Sequence, residues 1–223
     1  MSKTKQAWLA VGVVLLLTII DQWIKIYVKM HFAMHECYDV TSWFKLVFIE
    51  NNGMAFGIEL GAKFFLTLFR IVACGVGVWY IARIIKQGVK IGYLLTISVI
   101  LAGALGNIID CMFYGLIFDS PVGEPAHLVA FGEGYGSFMQ GRVVDMFYFP
   151  LVEWNWPEWM PFCGGDHFIF FSPIFNFADS CITCGVFAFI IFYHKMFMKK
   201  EPAPAEDANT GDTETNSVDI DKE

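Results

Sequence analysis

The chain has 223 residues, 56% of them hydrophobic and 23 of them Phe. That excludes an ordinary soluble domain and predicts a membrane protein rich in lipid-facing and interfacial aromatics. The formal charge of -7 is carried by residues 201–223, where Glu201, Glu206, Asp207, Asp212, Glu214, Asp219, Asp221 and Glu223 stand against Lys222 alone. Residues 1–200 are formally neutral and offer no basic patch for nucleic acid.

Lys3 and Lys5 precede an apolar run that resembles the charged start and core of a signal peptide, but no small-residue cleavage site follows. The run leads into Asp21-Gln22-Trp23-Ile24-Lys25, so a retained first transmembrane helix is expected over about 7–28. Asp21 and Lys25 share a helix face and predict an ion pair that fixes the helix end, with Lys25 snorkelling outward. Residues 29–62 form a first outer segment. Within it, Trp43 to Glu50 is aromatic, β-branched and partly alternating, which predicts a strand. The following Asn51-Asn52-Gly53-Met54-Ala55-Phe56-Gly57 permits a tight turn. It is either a plain loop or a loop in which Asn51 holds a substrate backbone or a carboxylate.

A second helix is expected over 63–85, with Arg70 near an interface or facing the bundle interior, and a third over 91–114. The third ends in Gly103-Ala104-Leu105-Gly106-Asn107-Ile108-Ile109-Asp110. Its small residues allow close helix approach, while Asn107 and Asp110 share a face, as a structural network or as part of a site. The second outer segment, 115–169, holds Gly132-Glu133-Gly134-Tyr135-Gly136 and a Trp-rich stretch from Trp154 to Trp159 that predicts an interfacial anchor. Cys163, Asp166 and His167 are too few and too loosely spaced for a metal site, and His31, His35 and His127 lack ligand spacing, so no metal or other cofactor is expected. A bridge between Cys37 and Cys163 is left open. Cys181 and Cys184 have the C-x-x-C spacing but lie inside the fourth predicted helix, about 170–198, where redox or metal use is not expected.

Lys3, Lys5, Arg83, Lys86, Lys90, Lys195, Lys199 and Lys200 fall on one side of these helices, which the positive-inside rule makes cytoplasmic. Both termini are then inside, and Asp21, Asp110, Asp145 and Asp179 come to one depth near the outer face. The expected fold is an all-α polytopic membrane protein: four transmembrane helices with a small extracytoplasmic cradle, β-rich or made of loops. Residues 1–200 form one domain, and the acidic tail 201–223 is a disordered cytoplasmic segment. Nothing requires more than a monomer.

Asp145 lies in Arg142-Val143-Val144-Asp145-Met146 and Asp179 in Phe175-Asn176-Phe177-Ala178-Asp179. A carboxylate at membrane depth is costly unless paired or protonated. If the two meet, repulsion raises one pKa and the pair shares a proton. One member then takes a proton from water while the other polarises a carbonyl, which is aspartic-protease chemistry without a covalent intermediate. The alternatives are an inert helix-bridging network, or a small transporter or proton-coupled channel. Clustering at one face counts against a transport path.

Five ordered blocks are Asp21-Gln22-x-x-Lys25, Asn51-x-Gly53-x-Ala55-Phe56-Gly57, Gly106-Asn107-x-x-Asp110, Val143-Val144-Asp145 and Phe175-Asn176-x-Ala178-Asp179. Together they resemble the lipoprotein signal peptidases (signal peptidase II), over nearly all of residues 7–198. The resemblance implies an aspartic endopeptidase of the bacterial inner membrane, working near the periplasmic face. Such an enzyme removes the signal peptide from prolipoproteins just before a Cys that carries diacylglycerol. It implies Asp145 and Asp179 as the catalytic pair, with Asn51, Gly53, Phe56, Asn107, Asp110 and Asn176 shaping the site or binding substrate. Asp21 and Lys25 are implied as structural, and globomycin as an inhibitor; membrane lipids and prolipoproteins are the expected partners. The sequence departs from the family where Cys111 stands in place of a common Arg. Arg142, directly before Val143, is the candidate substitute. The second outer segment is long for the family, and the tail is additional.

Overall fold

The computed structural model describes residues 1–52 and 61–193; Gly53, Phe56 and the acidic tail lie outside the described residues. Helix α1 (Lys3–His31) is opened by Ser2, whose Oγ accepts from Lys5 N at 3.3 Å, an N-cap that satisfies one orphan donor. Strands β1 (Cys37–Asp39) and β2 (Lys45–Asn51) follow, then α2 (Gly61–Gln87) and α3 (Ile91–Ile109). Helix α3 continues through a π turn, Asp110–Tyr114, and a last turn, Gly115–Ile117. Strands β3 (Val143–Tyr148), β4 (Val152–Asn155), β5 (His167–Phe170) and β6 (Ile174–Phe175) lead to α4 (Phe177–Ala188), which passes into a π turn, Phe189–Tyr193.

Three stretches, Lys3–His31, Lys63–Gln87 and Ile91–Ile117, are long and apolar enough to cross a membrane, and Phe177–Tyr193 is a shorter apolar helix. Their outer faces carry exposed Leu15, Leu16, Ile19, Phe65, Phe69, Val72, Val76, Phe187 and Ile191, a lipid-facing girdle far larger than a soluble surface tolerates. The fourth helix starts at Phe177 rather than near 170, because His167–Phe170 and Ile174–Phe175 are spent on strands.

The fold is therefore not all-helical. A four-stranded antiparallel sheet runs β1-β2-β3-β6, and β4 pairs with β5. β2 meets β3 with Ile49 opposite Asp145 and Asn51 opposite Val143, after a register shift between Leu46 and Ile49. β3 meets β6 with Phe147 opposite Phe175. Val143, Val144, Asp145 and Met146 are all buried. A strand covered on both faces loses the polar–apolar alternation that would have announced it. Cys37 and Cys163, whose bridging the sequence leaves open, are free thiols in this structure.

Helix α3 is central, packing on α1, α2 and α4. Two glycines make that possible. A Cβ on Gly103 would collide with Ala178 O and lie 2.8 Å from Ile182 Cγ1, and one on Gly106 would collide with the Asp21 carboxylate. Gly103→Ala is expected to cost about 1–3 kcal/mol by forcing α4 away, read as a lowered midpoint of thermal unfolding in detergent. Gly12→Ala, with nothing within 4 Å of the new methyl, is the matched control and leaves that midpoint unchanged or slightly raised.

Candidate active site

The site is built on a buried ammonium. Lys25 is 0% exposed. Its Nζ lies 2.9 Å from Asp21 Oδ2, 2.8 Å from Asp110 Oδ2 and 2.8 Å from Asn107 Oδ1, which uses all three of its donors. The expected pair with Asp21 is present, but Lys25 does not snorkel outward: three acceptors from α1 and α3 hold it inside the bundle. Gln22 closes the group. Its Nε2 donates to Asp110 Oδ1 at 2.8 Å, Asp21 Oδ2 at 3.2 Å and Gly106 O at 3.1 Å, and its Oε1 accepts from Tyr114 Oη at 3.1 Å.

The two carboxylates of this group each grip a second element. Asp21 Oδ1 accepts from Ala178 N at 2.9 Å, and Asp110 Oδ2 accepts from Val144 N at 3.4 Å. These are the peptide N–H groups of the residues just before Asp179 and Asp145. The first turn of a helix presents unpaired N–H donors, and here α4 gives one of them to Asp21 of α1. Another goes to its own N-cap: Asn176 Oδ1 accepts from Asp179 N at 2.9 Å while Asp179 Oδ2 accepts from Asn176 N at 3.3 Å, a capping box.

Three asparagines then hold the two acids. Asn176 Nδ2 donates to Asp145 Oδ1 at 2.7 Å and to Asn107 Oδ1 at 3.2 Å. Asn107 Nδ2 donates to Asp179 Oδ1 at 2.8 Å, and Asn51 Nδ2 to Asp145 Oδ2 at 3.1 Å. Because Lys25 demands the carbonyl of Asn107, the amide nitrogen is left to face Asp179. Asp145 is 3% exposed. Burial, and then the charge of Asp179, pushes its carboxyl up to about 6, against the pull of the Asn176 and Asn51 amides.

Each acid lines a cavity of its own. One of about 670 Å³ opens on Asp179 and is walled by Phe44, Phe147, Phe149, Phe171 and Phe175. The other, of about 540 Å³, opens on Asp145 and is lined by Glu50, Asn51, Asn52 and Ser172. A third groove of about 450 Å³, lined by Ala7, Val14, Val78 and Leu105 with Lys86, touches none of the polar residues of the site and is otherwise apolar.

Arg142 does not take the place of a guanidinium at Cys111. Its Nη1 lies 2.8 Å from Glu50 Oε2 and its guanidinium sits 4.8 Å from the centre of the Tyr135 ring. Arg70 of α2 is the residue that reaches Cys111, with Nη1 3.2 Å from Sγ. Glu50 also pairs with Lys29, whose ammonium lies over the rings of Phe118 and Tyr135 at 5.2 Å each and of Phe48 at 5.7 Å. Gln22, Tyr114, Lys29 and Glu50 were given no site role from the sequence. Lys29 had a signal: it is one helical turn beyond Lys25, on the inward face. Among the described residues, no group of three or more His, Cys, Asp or Glu is arranged to hold a metal ion.

The sequence profile of the family described as Signal peptidase (SPase) II matches residues 13–195. A lipoprotein signal peptidase of Porphyromonas gingivalis is 47% identical over 194 residues, covering 86% of each chain. One from Amoebophilus asiaticus is 36% identical over 191 residues, covering 82% of this chain and 76% of its own. Among solved structures, a bacterial membrane enzyme determined by the in meso method at 1.9 Å resolution superposes with a TM-score of 0.56 at 23% identity, over 86% of this chain and 94% of that one. At that identity the likeness speaks for the fold alone.

Proposed function

The chain belongs to the signal peptidase II family, and from that premise we propose that Asp145 and Asp179 are the catalytic pair of a lipoprotein signal peptidase. The protein is a bacterial membrane enzyme of the aspartic peptidase class. Its substrates are read as diacylglyceryl-modified prolipoproteins, cut just before the lipidated Cys. The observation that carries this reading is Asn176, whose side-chain amide bonds Asp145 while its backbone N–H bonds Asp179, with an apolar cavity lined by Asp179 and a polar one lined by Asp145. Asn51, Asn107 and Asn176 orient the acids; Asp21, Lys25 and Asp110 fix the elements that carry them. Gly53 and Phe56 belong to the substrate side by family resemblance.

The topology that suits this chemistry has four spans, with residues 1–200 acting as one monomeric domain, both termini cytoplasmic and the sheet on the periplasmic side. A signal helix and a lipid-anchored Cys leave the scissile bond at the outer interface, so acids at that depth meet it without drawing peptide backbone into hydrocarbon.

In the reaction, Asp179 accepts a proton from a water held between the acids, and the hydroxyl adds to the scissile carbonyl carbon. Asp145 donates its proton to the carbonyl oxygen, so the tetrahedral intermediate is neutral at that oxygen. Collapse breaks the C–N bond as Asp145 takes a proton back from one hydroxyl of the intermediate and the proton held by Asp179 passes to the leaving amine, which restores both acids.

The pH dependence follows in sign. Asp145 must be protonated, and it loses its proton above about 6. The value of kcat/KM is therefore expected to fall as pH rises through about 6, tenfold per pH unit well above it. Bound substrate excludes further water and moves the same limb of kcat to higher pH. Steady-state rates from pH 4.5 to 9 check this limb in kcat/KM and in kcat.

The test of the reading is incubation of purified protein with a diacylglyceryl prolipoprotein, with and without globomycin. The expected result is cleavage before the modified Cys, blocked by globomycin. Ion flux through the protein in liposomes without cleavage would overturn it in favour of the transporter alternative, which family membership disfavours.

A further inference from the structure

The Trp-rich stretch of the second outer segment folds into a β ribbon with two unlike faces. Strand β4 pairs with β5 so that Val152 stands opposite Phe170 and Trp154 opposite Phe168, while Glu153 stands opposite Ile169 and Asn155 opposite His167. Residues directly opposite share a face, and neighbours along a strand alternate. One face is therefore Val152, Trp154, Phe168 and Phe170, and the other carries Glu153, Asn155, His167 and Ile169. The polar groups of the second face serve one another: His167 Nδ1 lies 2.8 Å from Asn155 Oδ1, and its Nε2 lies 3.8 Å from Glu153 Oε2. On the first face Trp154 and Phe168 meet with centroids 4.4 Å apart, and Trp156 joins them at 5.3 and 6.0 Å. That face is open: Val152 and Phe170 are 51% and 54% exposed, and Trp159 in the connecting turn is 79% exposed. We propose that it is a membrane-docking surface, and that the ribbon lies in the bilayer interface at the end of the bundle that carries the acids, apolar face toward the lipid.

Three observations choose lipid over a protein partner. A two-stranded ribbon by itself is barely stable in water, so its apolar face needs a cover whenever the protein is folded, and a bilayer is always present around a membrane protein. The second is continuity. Phe171, the residue after β5, meets Phe175 edge-on at 6.1 Å, just before α4 begins, and shares a cavity wall with Ser180, Thr183 and Cys184 of that helix. The ribbon is thus rooted where the chain enters the lipid. The third is composition. Indoles, flat and apolar with a single N–H donor, favour the level of the lipid headgroups, and the ionisable side chains of the two strands, Glu153 and His167, both stand on the reverse face. Docked in this way, the ribbon fixes at the lipid surface the strands that flank it in sequence, β3 with Asp145 and β6 with its lead into α4.

The test places the fluorotryptophan-labelled protein in phosphatidylcholine nanodiscs and follows the fluorine NMR signals of Trp154 and Trp156, each assigned by its Trp→Phe variant. Two relaxation agents are compared: a phosphatidylcholine with a nitroxide just below the headgroup, and a gadolinium chelate confined to water. The expected result is that the nitroxide lipid removes most of the intensity of both signals while the chelate leaves them. The indole introduced by Glu153→Trp, on the reverse face of an exposed strand, is expected to answer the other way, to the chelate and not to the lipid. Loss of the Trp154 and Trp156 signals to the chelate alone overturns the proposal, because the ribbon then stands in water. Protection from both agents overturns it too, since the face is then covered by protein, a second copy of the chain included. An equal response of the Trp154 and Glu153→Trp signals to the lipid overturns the assignment of faces, and the docking surface with it.

Discussion

Asp145→Asn and Asp179→Asn are each expected to lower prolipoprotein cleavage by about 10²- to 10⁴-fold, the range for removing a positioned general acid or base, while the protein stays folded. Asn keeps the shape of Asp, and at position 145 it also removes a buried charge that burial and Asp179 make unfavourable. The cost is one misplaced donor, because Asp145 accepts from both Asn51 and Asn176 and an amide accepts from only one of them. Cleavage followed by mass spectrometry, set beside thermal unfolding, separates the readings. Rates near the parent's in either variant would remove that residue from the chemistry. If instead both variants lose stability and activity together, the acids are helix glue.

Lys25→Met is expected to do more damage than its distance from the scissile bond suggests. It leaves Asp21 and Asp110 buried without the ammonium they share, and breaking a buried ion pair from one side costs about 3–5 kcal/mol. It also frees the amide of Asn107, whose carbonyl is held by Lys25 and whose nitrogen serves Asp179. Activity should therefore fall even in detergent conditions where the fold survives. Adding Asp110→Asn to Lys25→Met removes one of the stranded charges and should recover part of the stability, a non-additivity that a packing defect would not give. Lys25→Arg should not restore the parent, because a planar fork does not reproduce three bonds from one point.

Much of the site was legible because polar residues in apolar runs are costly and therefore conspicuous. Asp21, Lys25, Asn107, Asp110 and Asp179 stand out in that way, Asp145 was read as the partner of Asp179 from its apolar and aromatic flanks, and resemblance implied the two as a catalytic pair. The strand before Asn51 was read from its alternation and runs Lys45–Asn51, close to the expected 43–50. The strand bearing Asp145 was not legible, since Val143 to Met146 is buried throughout and periodicity is silent there. The inward turn of Lys25 was missed for a different reason. A long cationic side chain near a helix end ordinarily reaches water, and only the packing of α3 against α1 shows that three acceptors wait inside. Arg142 illustrates the limit of adjacency: it neighbours Val143 in sequence, yet its guanidinium is taken by Glu50 and Tyr135, and Arg70 from another helix reaches Cys111.

That two distant acids act on one proton is tested most directly by isotope-edited infrared titration of the Asp145 carboxyl, using ¹³C-aspartate and the Asp145→Asn protein as the blank. In the parent, a protonated carboxyl should titrate at about 6. In Asp179→Asn the same signal should titrate lower, though still above an exposed Asp, because burial remains when the neighbouring charge is gone. An unchanged titration in Asp179→Asn would show that Asp145 does not sense Asp179, and the shared-proton account would fail.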